Sequence, residues 1–254
     1  MTDFIYKFPK ADNTVDLVIF GLDRSDQTLK ILLIERGRKG EPFEGFWALP
    51  GGFLEMELDQ TLEAAAVREL QEETGLDGVY IEQLATFGDV GRDPRGRVVS
   101  TAYMALVRPE DVTVKAGDDA RKASWFPVNW LDLEPDHKGS RTMQARITLA
   151  FDHHKIVKAG LDRLRSKVRW QPVGIELLPE RFTLGDLQRV YEAILGQKLD
   201  KRGFRRKALR FGVLVNTGRR EATGGGRRGP GGQLYRFDRR KYDRMTKDGL
   251  DFEV

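Results

Sequence analysis

One stretch constrains this chain more than any other: residues 51–76, GGFLEMELDQTLEAAAVRELQEETGL. Residues 61–74 read as a helix. Leu62, Ala66 and Leu70 share one face, Ala64–Ala65–Ala66 favours helix, and Gly75 sits where a C-cap glycine belongs. Glu69 and Glu73 are four apart and Glu72 is three from Glu69, so the three carboxylates project from one side. Clustered carboxylates repel unless something neutralises them, and an oxygen-seeking divalent cation such as Mg2+ does so. Arg68, four before Glu72, can brace a carboxylate. Pro50-Gly51-Gly52 just upstream reads as a forced loop whose glycines let backbone approach a ligand closely. Glutamates on one face are more often a solvated surface; the loop-helix context favours a site here.

Around that helix the first half is strand-rich. Residues 15–20 and 30–34 read as a hairpin split by a turn at Asp23-Arg24-Ser25-Asp26, and 46–49 as a short strand. Residues 80–87 and 98–107 are further strands about a turn-rich 91–96, and 123–127 is a last short one. Residues 131–142 read as loop, and 147–164 return to helical spacing. In the FGDVGRDPRG loop, Arg92 and Arg95 are candidates for phosphate or ribose, and Asp93 for a ribose hydroxyl or a neighbouring arginine. A plain charged hairpin loop is the equal alternative. Trp47 and Trp125 could stack on a base, although core packing is the commoner role. Adjacent His153 and His154 cannot comfortably face one ion, and neither they nor His137 supports a ligand assignment.

The chain has 254 residues, room for two domains. With no cysteine, disulfides, zinc–thiolate sites and cysteine nucleophiles are excluded. No apolar run is long enough for a membrane span. The opening MTDFIYKFPK lacks the apolar core of a secretory signal, so a cytoplasmic location is expected.

A net charge of +4 conceals a split. Residues 1–169 carry 24 basic and 28 acidic side chains, and residues 170–254 carry 19 and 11. Residues 201–240 hold 13 basic and 2 acidic ones, a crowding that calls for an anionic partner. Pro172, Gly174 and Pro179 place a boundary near 168–180, giving domains 1–168, with a linking helix near 147–165, and 169–254. In the second, Thr183 starts an amphipathic helix that ends at Gly196, and Asp200 caps a basic helix over 201–210. Strands over 211–215 and 233–237 flank the glycine-rich GGGRRGPGG. Helix, basic helix and a hairpin with a basic tip is the order of a winged helix-turn-helix. Lys201, Arg202, Arg205, Arg206 and Lys207 are candidates for a major groove, and Arg219, Arg220, Arg227 and Arg228 for a minor groove or phosphates. No aromatic platform for unpaired bases is evident, which favours duplex DNA over RNA.

Residues 51–76 resemble the Nudix box. Its second half is complete in Arg68, Glu69, Leu70, Glu72, Glu73, Gly75 and Leu76. The first half departs: Gly52 and Arg68 enclose 15 residues, two more than the family spacing. The family's glutamate position falls on Leu58 or Gln60, beside Glu57 and Asp59. The resemblance implies Mg2+-dependent hydrolysis of nucleoside diphosphate derivatives, with Glu69, Glu72 and Glu73 as catalytic metal ligands, the Gly51 carbonyl alongside, and a later acid such as Asp118 or Asp119. Together with LAFDHHKIV, the run at 176–207 and LYRFD, the whole chain resembles the Nudix-related transcriptional regulators of the NrtR type. The implied fold is α+β, a Nudix α/β/α sandwich with a mixed sheet followed by a winged helix-turn-helix domain. The implied function is a homodimeric repressor of NAD-metabolism or related genes that binds operator DNA and senses ADP-ribose. Two alternatives stay open: an active ADP-ribose pyrophosphatase with an accessory nucleic-acid-binding domain, and a sugar-responsive regulator of the same architecture. Residues 136–147 stand out as an insertion.

Overall fold

The computed structural model describes residues 7–37, 39–112, 120–134, 147–221 and 231–247. The chain forms two compact units. The first gathers residues 1–20, 30–106 and 110–160, and the second 21–29, 107–109 and 161–254.

The first unit is built on a seven-stranded sheet. Strands β1 (Asp12–Asp23), β2 (Thr28–Arg36), β3 (Trp47–Ala48), β5 (Ile81–Phe87) and β6 (Val98–Val107) run in the order β3-β2-β1-β6-β5. Strand β4 (Gly51–Phe53) pairs antiparallel with β1, and β7 (Ala120–Pro127) with β2. Val15, Leu17, Val18, Ile19 and Phe20 on β1 are all fully buried, although successive side chains point to opposite faces. A continuous buried run means both faces of the sheet are covered, the α/β/α arrangement.

Helix α1 (Leu62–Thr74) starts at Thr61, whose hydroxyl accepts from the Ala64 N–H at 3.0 Å, and stops at Gly75 in the left-handed region at φ 70°. Helix α2 (His153–Trp170) begins later than its apolar spacing predicts. Phe151 holds φ 52°, incompatible with a helical turn, and Pro172 ends the helix beyond Trp170. Pro50-Gly51-Gly52 is not wholly loop: Gly51 and Gly52 lie in β4 opposite Asp16 and Val15.

In the second unit, β8 (Phe182–Thr183), α3 (Leu184–Leu195), α4 (Lys201–Arg210), β9 (Leu214–Arg220) and β10 (Gln233–Phe237) form a winged helix with sheet order β8-β10-β9. A reciprocal capping box between Thr183 and Asp186 starts α3, and the Asp200 carboxylate accepts from the Gly203 N–H at 2.6 Å to start α4. Leu187, Val190, Tyr191 and Ile194 bury the inner face of α3, and Phe204 of α4 packs edge-on against Tyr191. A closing helix, α5 (Arg239–Lys247), has no counterpart in the sequence reading.

Candidate functional site

The first unit contains a cleft of about 140 Å3, open to solvent. Thr14–Asp16 of β1, Ile34 and Arg36 of β2, the β4 strand and the 92–98 loop line it, with Phe151 and His153 at the start of α2. Its floor is a buried polar network. Arg92 directs Nε and Nη2 at the two carboxylate oxygens of Asp152, at 3.1 and 2.8 Å, and Nη2 also reaches Asp16 at 3.4 Å. The Ser100 hydroxyl donates to Asp16. The His153 Nδ1 accepts from the Leu49 N–H at 2.9 Å, which leaves the proton on Nε2, whose nitrogen is 3.5 Å from Asp16 Oδ1. Burial pushes the His153 imidazole below its ordinary value against the pull of Asp16 and Asp152, so it is held neutral. Burial also opposes the Arg92 charge, and its hydrogen bonds to Asp152 together with the negative charges of Asp16, Asp152 and Asp93 outweigh it.

Two further arginines stand at the rim. Arg95 grips Asp93 through Nε at 3.0 Å and Nη2 at 2.7 Å, with its own N–H at 2.9 Å. Burial favours the neutral Asp93 carboxyl, and these donors overcome it, holding the group below the usual carboxylate range. Arg36 donates Nε to the Pro42 carbonyl and Nη2 to Glu41, both at 3.0 Å. Both guanidiniums lie over the Phe151 ring, Arg36 at 4.8 Å and Arg95 at 5.6 Å, and Arg95 also lies 5.3 Å from the Phe53 centroid. Phe151 sustains a left-handed backbone for this, at a cost of about 1–3 kcal/mol. Cations backed by rings on a partly desolvated rim suit a phosphorylated ligand with an aromatic base.

Along α1 the carboxylates gather around one arginine. Arg68 is their hub. It pairs with Asp59 through Nε at 3.1 Å and Nη2 at 2.9 Å, and its Nη1 lies 2.9 Å from Glu69, 3.4 Å from Glu72 and 3.5 Å from Glu55. Asp59 therefore fills the partner position that the spacing left between Leu58 and Gln60, and the hydrogen bond from Arg68 holds it below the carboxylate range. Glu69 is raised above its ordinary value, by burial first, with Arg68 opposing. Glu73 is buried, and the Glu72 side chain is 57% exposed. Among the described residues no three acidic or histidine side chains converge closely enough to hold a metal ion. Of the expected Mg2+ set of Gly51, Glu69, Glu72 and Glu73, the Glu69 and Glu72 carboxylates share Arg68 as their counter-charge in this structure. The glycine pair serves packing between protein elements. A Cβ on Gly52 would lie 2.1 Å from Glu69 Oε1, and one on Gly51 2.2 Å from the Val15 carbonyl oxygen.

The second unit presents the basic face that the sequence implies. Lys201, Arg202, Arg205, Arg206 and Lys207 are exposed on α4 while Phe204 faces inward. Arg219 and Arg220 are exposed at the end of β9, where the wing begins. This is a helix whose cations are free of the core, followed by a basic hairpin.

Residues 12–147 match the NUDIX domain and residues 174–237 the NrtR DNA-binding winged helix domain. The chain is 39% identical over 245 residues to the "ADPR responsive transcriptional repressor NtrR" of Acinetobacter baylyi, covering 94% of this chain and 89% of that one. The Shewanella oneidensis NrtR solved with a 27mer DNA superposes with a TM-score of 0.72 at 34% identity, over 88% of this chain and 92% of that one. The NUDIX domain of the same NrtR, solved with ADP ribose, matches 62% of this chain and 90% of its own length at 34% identity and a TM-score of 0.50. The chain belongs to the NrtR family. The α+β fold expected from the resemblance, a Nudix sandwich followed by a winged helix, is the fold of this NrtR-family chain.

Within that family frame several expectations shift. Arg92, expected at the ligand, is committed to Asp152 and Asp16 in the cleft floor. Asp93 holds Arg95, one of the two partners expected for it. Trp47 packs against Phe126 with ring centroids 4.5 Å apart, a packing role. Arg36, Phe151 and Asp152 are among the residues of the cleft that the sequence pattern does not single out, and His153 belongs to the cleft floor although its spacing supports no ligand role. LAFDHHKIV contains the last three, but nothing in its spacing foretells that the backbone reverses at Phe151. Asp118, Asp119, His137, Arg227, Arg228 and most of the 136–147 segment lie outside the described residues.

Proposed function

We propose that this protein is an NrtR-type transcriptional repressor. It binds duplex operator DNA through α4 and the wing, and senses ADP-ribose in the cleft of its Nudix unit. The observation that carries the reading is one chain holding both an arginine-and-ring cleft and an exposed basic recognition helix, similar over 94% of its length to an ADPR-responsive repressor. Arg36 and Arg95 match the diphosphate, and the Phe53 and Phe151 rings the base or ribose. Genes of NAD metabolism are the target class that an ADP-ribose signal serves.

Nudix domains generally use a divalent cation, and a cation on Glu69, Glu72 and Glu73 would supply charge neutralisation and an activated water. With Arg68 already neutralising Glu69 and Glu72, our reading is sensing rather than turnover. The pyrophosphatase reading rests on the intact Arg68–Leu76 half of the box.

One winged helix covers one half-site, so a twofold dimer is the assembly that reads a palindrome. ADP-ribose releases DNA only if it prefers a dimer geometry that misplaces the two α4 helices. A tenfold to hundredfold loss of DNA affinity needs about 1.4–2.7 kcal/mol of coupling. The test is a gel-shift titration of the full chain on its own upstream region, with and without ADP-ribose, alongside product detection over hours. Weakened DNA binding with ADP-ribose intact supports the sensor. Rapid consumption with unchanged DNA affinity establishes the enzyme instead, and neither effect overturns both.

A further inference from the structure

Helix α5 lies beyond residue 237, where the match to the winged helix domain ends, and five of its nine residues are basic. They divide into two sets. Arg239 pairs with Glu176, and Lys241 Nζ donates to the Gly212 carbonyl at 2.7 Å. Tyr242 packs toward Phe237 and Phe211, with ring centroids 5.5 and 6.2 Å away. These contacts fix α5 against the residues that directly follow α4, so its position relative to the recognition helix is set. The second set is Arg240, Arg244 and Lys247. All three are exposed, and none forms an ion pair among the described residues. Their spacings of four and three put them on one ridge, on the side opposite Tyr242 and Met245.

Arg240 and Arg244, four apart on an exposed face, repel one another, Asp243 is the one acidic residue beside the ridge, and a nine-residue helix has little intrinsic stability. An anionic partner removes the repulsion. The ridge runs about 10 Å along the axis, enough to follow several phosphates of one strand, which advance about 3.4 Å each. The helix that carries it is held against Phe211 and Gly212, which directly follow α4, and the last turn of α4 carries Lys207 and Arg210.

We propose that Arg240, Arg244 and Lys247 form a second DNA contact, a phosphate-backbone clamp flanking the recognition helix and adding affinity without reading sequence. This rests on the DNA-binding reading above. The test uses the full chain carrying Arg240→Gln, Arg244→Gln and Lys247→Gln. Binding to a fluorescein-labelled mixed-sequence duplex and to its own upstream region is followed by anisotropy across a salt series. Each lost phosphate contact removes about 0.9 from the slope of log affinity against log salt, so losing all three should make the slope shallower by about 2.7. Affinity should fall about tenfold or more at low salt on both duplexes alike. A control with the same charge loss in the other unit, Lys7→Gln, Lys39→Gln and Lys122→Gln, should leave the slope near that of the wild type. Acetylation of Lys247 in the wild-type protein, read by mass spectrometry, should be suppressed by the duplex, a measurement independent of any folding defect in the variant. An unchanged slope with wild-type DNA binding intact, or no protection of Lys247, overturns the clamp and leaves α4 as the contact, whatever else α5 meets. A wild-type chain that binds neither duplex overturns the DNA-binding reading and the clamp together.

Discussion

Arg92 and Asp152, 60 residues apart in the chain, meet fork to fork in the floor of the cleft, with side chains only 4% and 9% exposed. The pair ties the 92–98 loop to the start of α2 beneath the position a ligand would occupy. Removing one partner of a buried ion pair leaves the other charge uncompensated. Arg92→Ala should therefore cost about 3–5 kcal/mol in stability, since both Asp152 and Asp16 lose their cation. Urea unfolding of the full chain measures this. A variant that keeps wild-type stability but loses ADP-ribose affinity would return Arg92 to the ligand.

Arg95 makes the opposite case. Its side chain is 35% exposed, and Nη1 makes no hydrogen bond among the described residues. Losing one charged hydrogen bond to a diphosphate costs about 1.5–3 kcal/mol. Arg95→Ala should weaken ADP-ribose binding roughly tenfold to hundredfold by calorimetry. Its melting temperature should drop far less than that of the Arg92 variant. Equal losses of stability in the two variants would contradict the division between floor and rim.

The α4 face carries the sequence-reading role. Arg205 and Arg206 are exposed at adjacent positions of the outer face, and each base contact is worth about 1–3 kcal/mol. Replacing both by Ala should cost about 2–6 kcal/mol on the operator and compress its advantage over mixed-sequence DNA. Unchanged discrimination would remove α4 as the reader.

What the sequence disclosed and what it withheld follow from the range of the interactions involved. Helix α1 and the basic helix α4 were legible because caps and periodicity are local: Thr61, Gly75 and Asp200 sit where the chain needs them. The β6 and β10 strands were legible from apolar runs between turn residues. Helix α5 was not. Tyr242 and Met245 are its only apolar positions, and it is held by contacts to Phe211, Gly212 and Glu176 that lie far back in the chain. The cleft floor escaped for the same reason, since Asp16, Arg92, Ser100 and His153 come from four separate segments. The displaced box partner, Asp59, needed three dimensions: only the fold shows both of its oxygens on Arg68.

Glu192 gives a pH dependence for the second unit. Its carboxylate accepts from Lys198 Nζ at 2.8 Å, Gln188 Nε2 at 2.9 Å and the Leu199 N–H at 3.0 Å. Burial alone would raise it, and these donors outweigh burial and bring it down from 4.5 to about 2. A folded value below the unfolded one gives stability that is complete above the unfolded value and lost as pH falls through the folded one. Glu192→Gln should thus be less stable than the wild type at neutral pH, with the gap closing between about pH 4.5 and 2. Denaturant titrations at several pH values follow this, and a gap that is constant across the window would refute it.

The Arg68 hub predicts how the protein answers to divalent cations. A cation on Glu69 would have to displace a guanidinium 2.9 Å away that also grips Asp59 at 2.9 and 3.1 Å. A ligand that binds only the folded state raises its melting temperature, so Mg2+ binding to the native site would register as a shift. The wild type should show no such shift, and its ADP-ribose affinity should be the same in Mg2+ as in EDTA. Arg68→Ala frees Glu55, Asp59, Glu69 and Glu72 from their shared cation and leaves their mutual repulsion unscreened. That variant should be less stable without metal and should regain stability with added Mg2+, the reverse of the wild-type indifference. If chelation instead abolishes ADP-ribose binding by the wild type, or Mg2+ raises its melting temperature, then the α1 carboxylates hold a cation and Arg68 yields to it. The hydrolytic reading would then regain its footing, and slow product formation in Mg2+ would become the measurement to make.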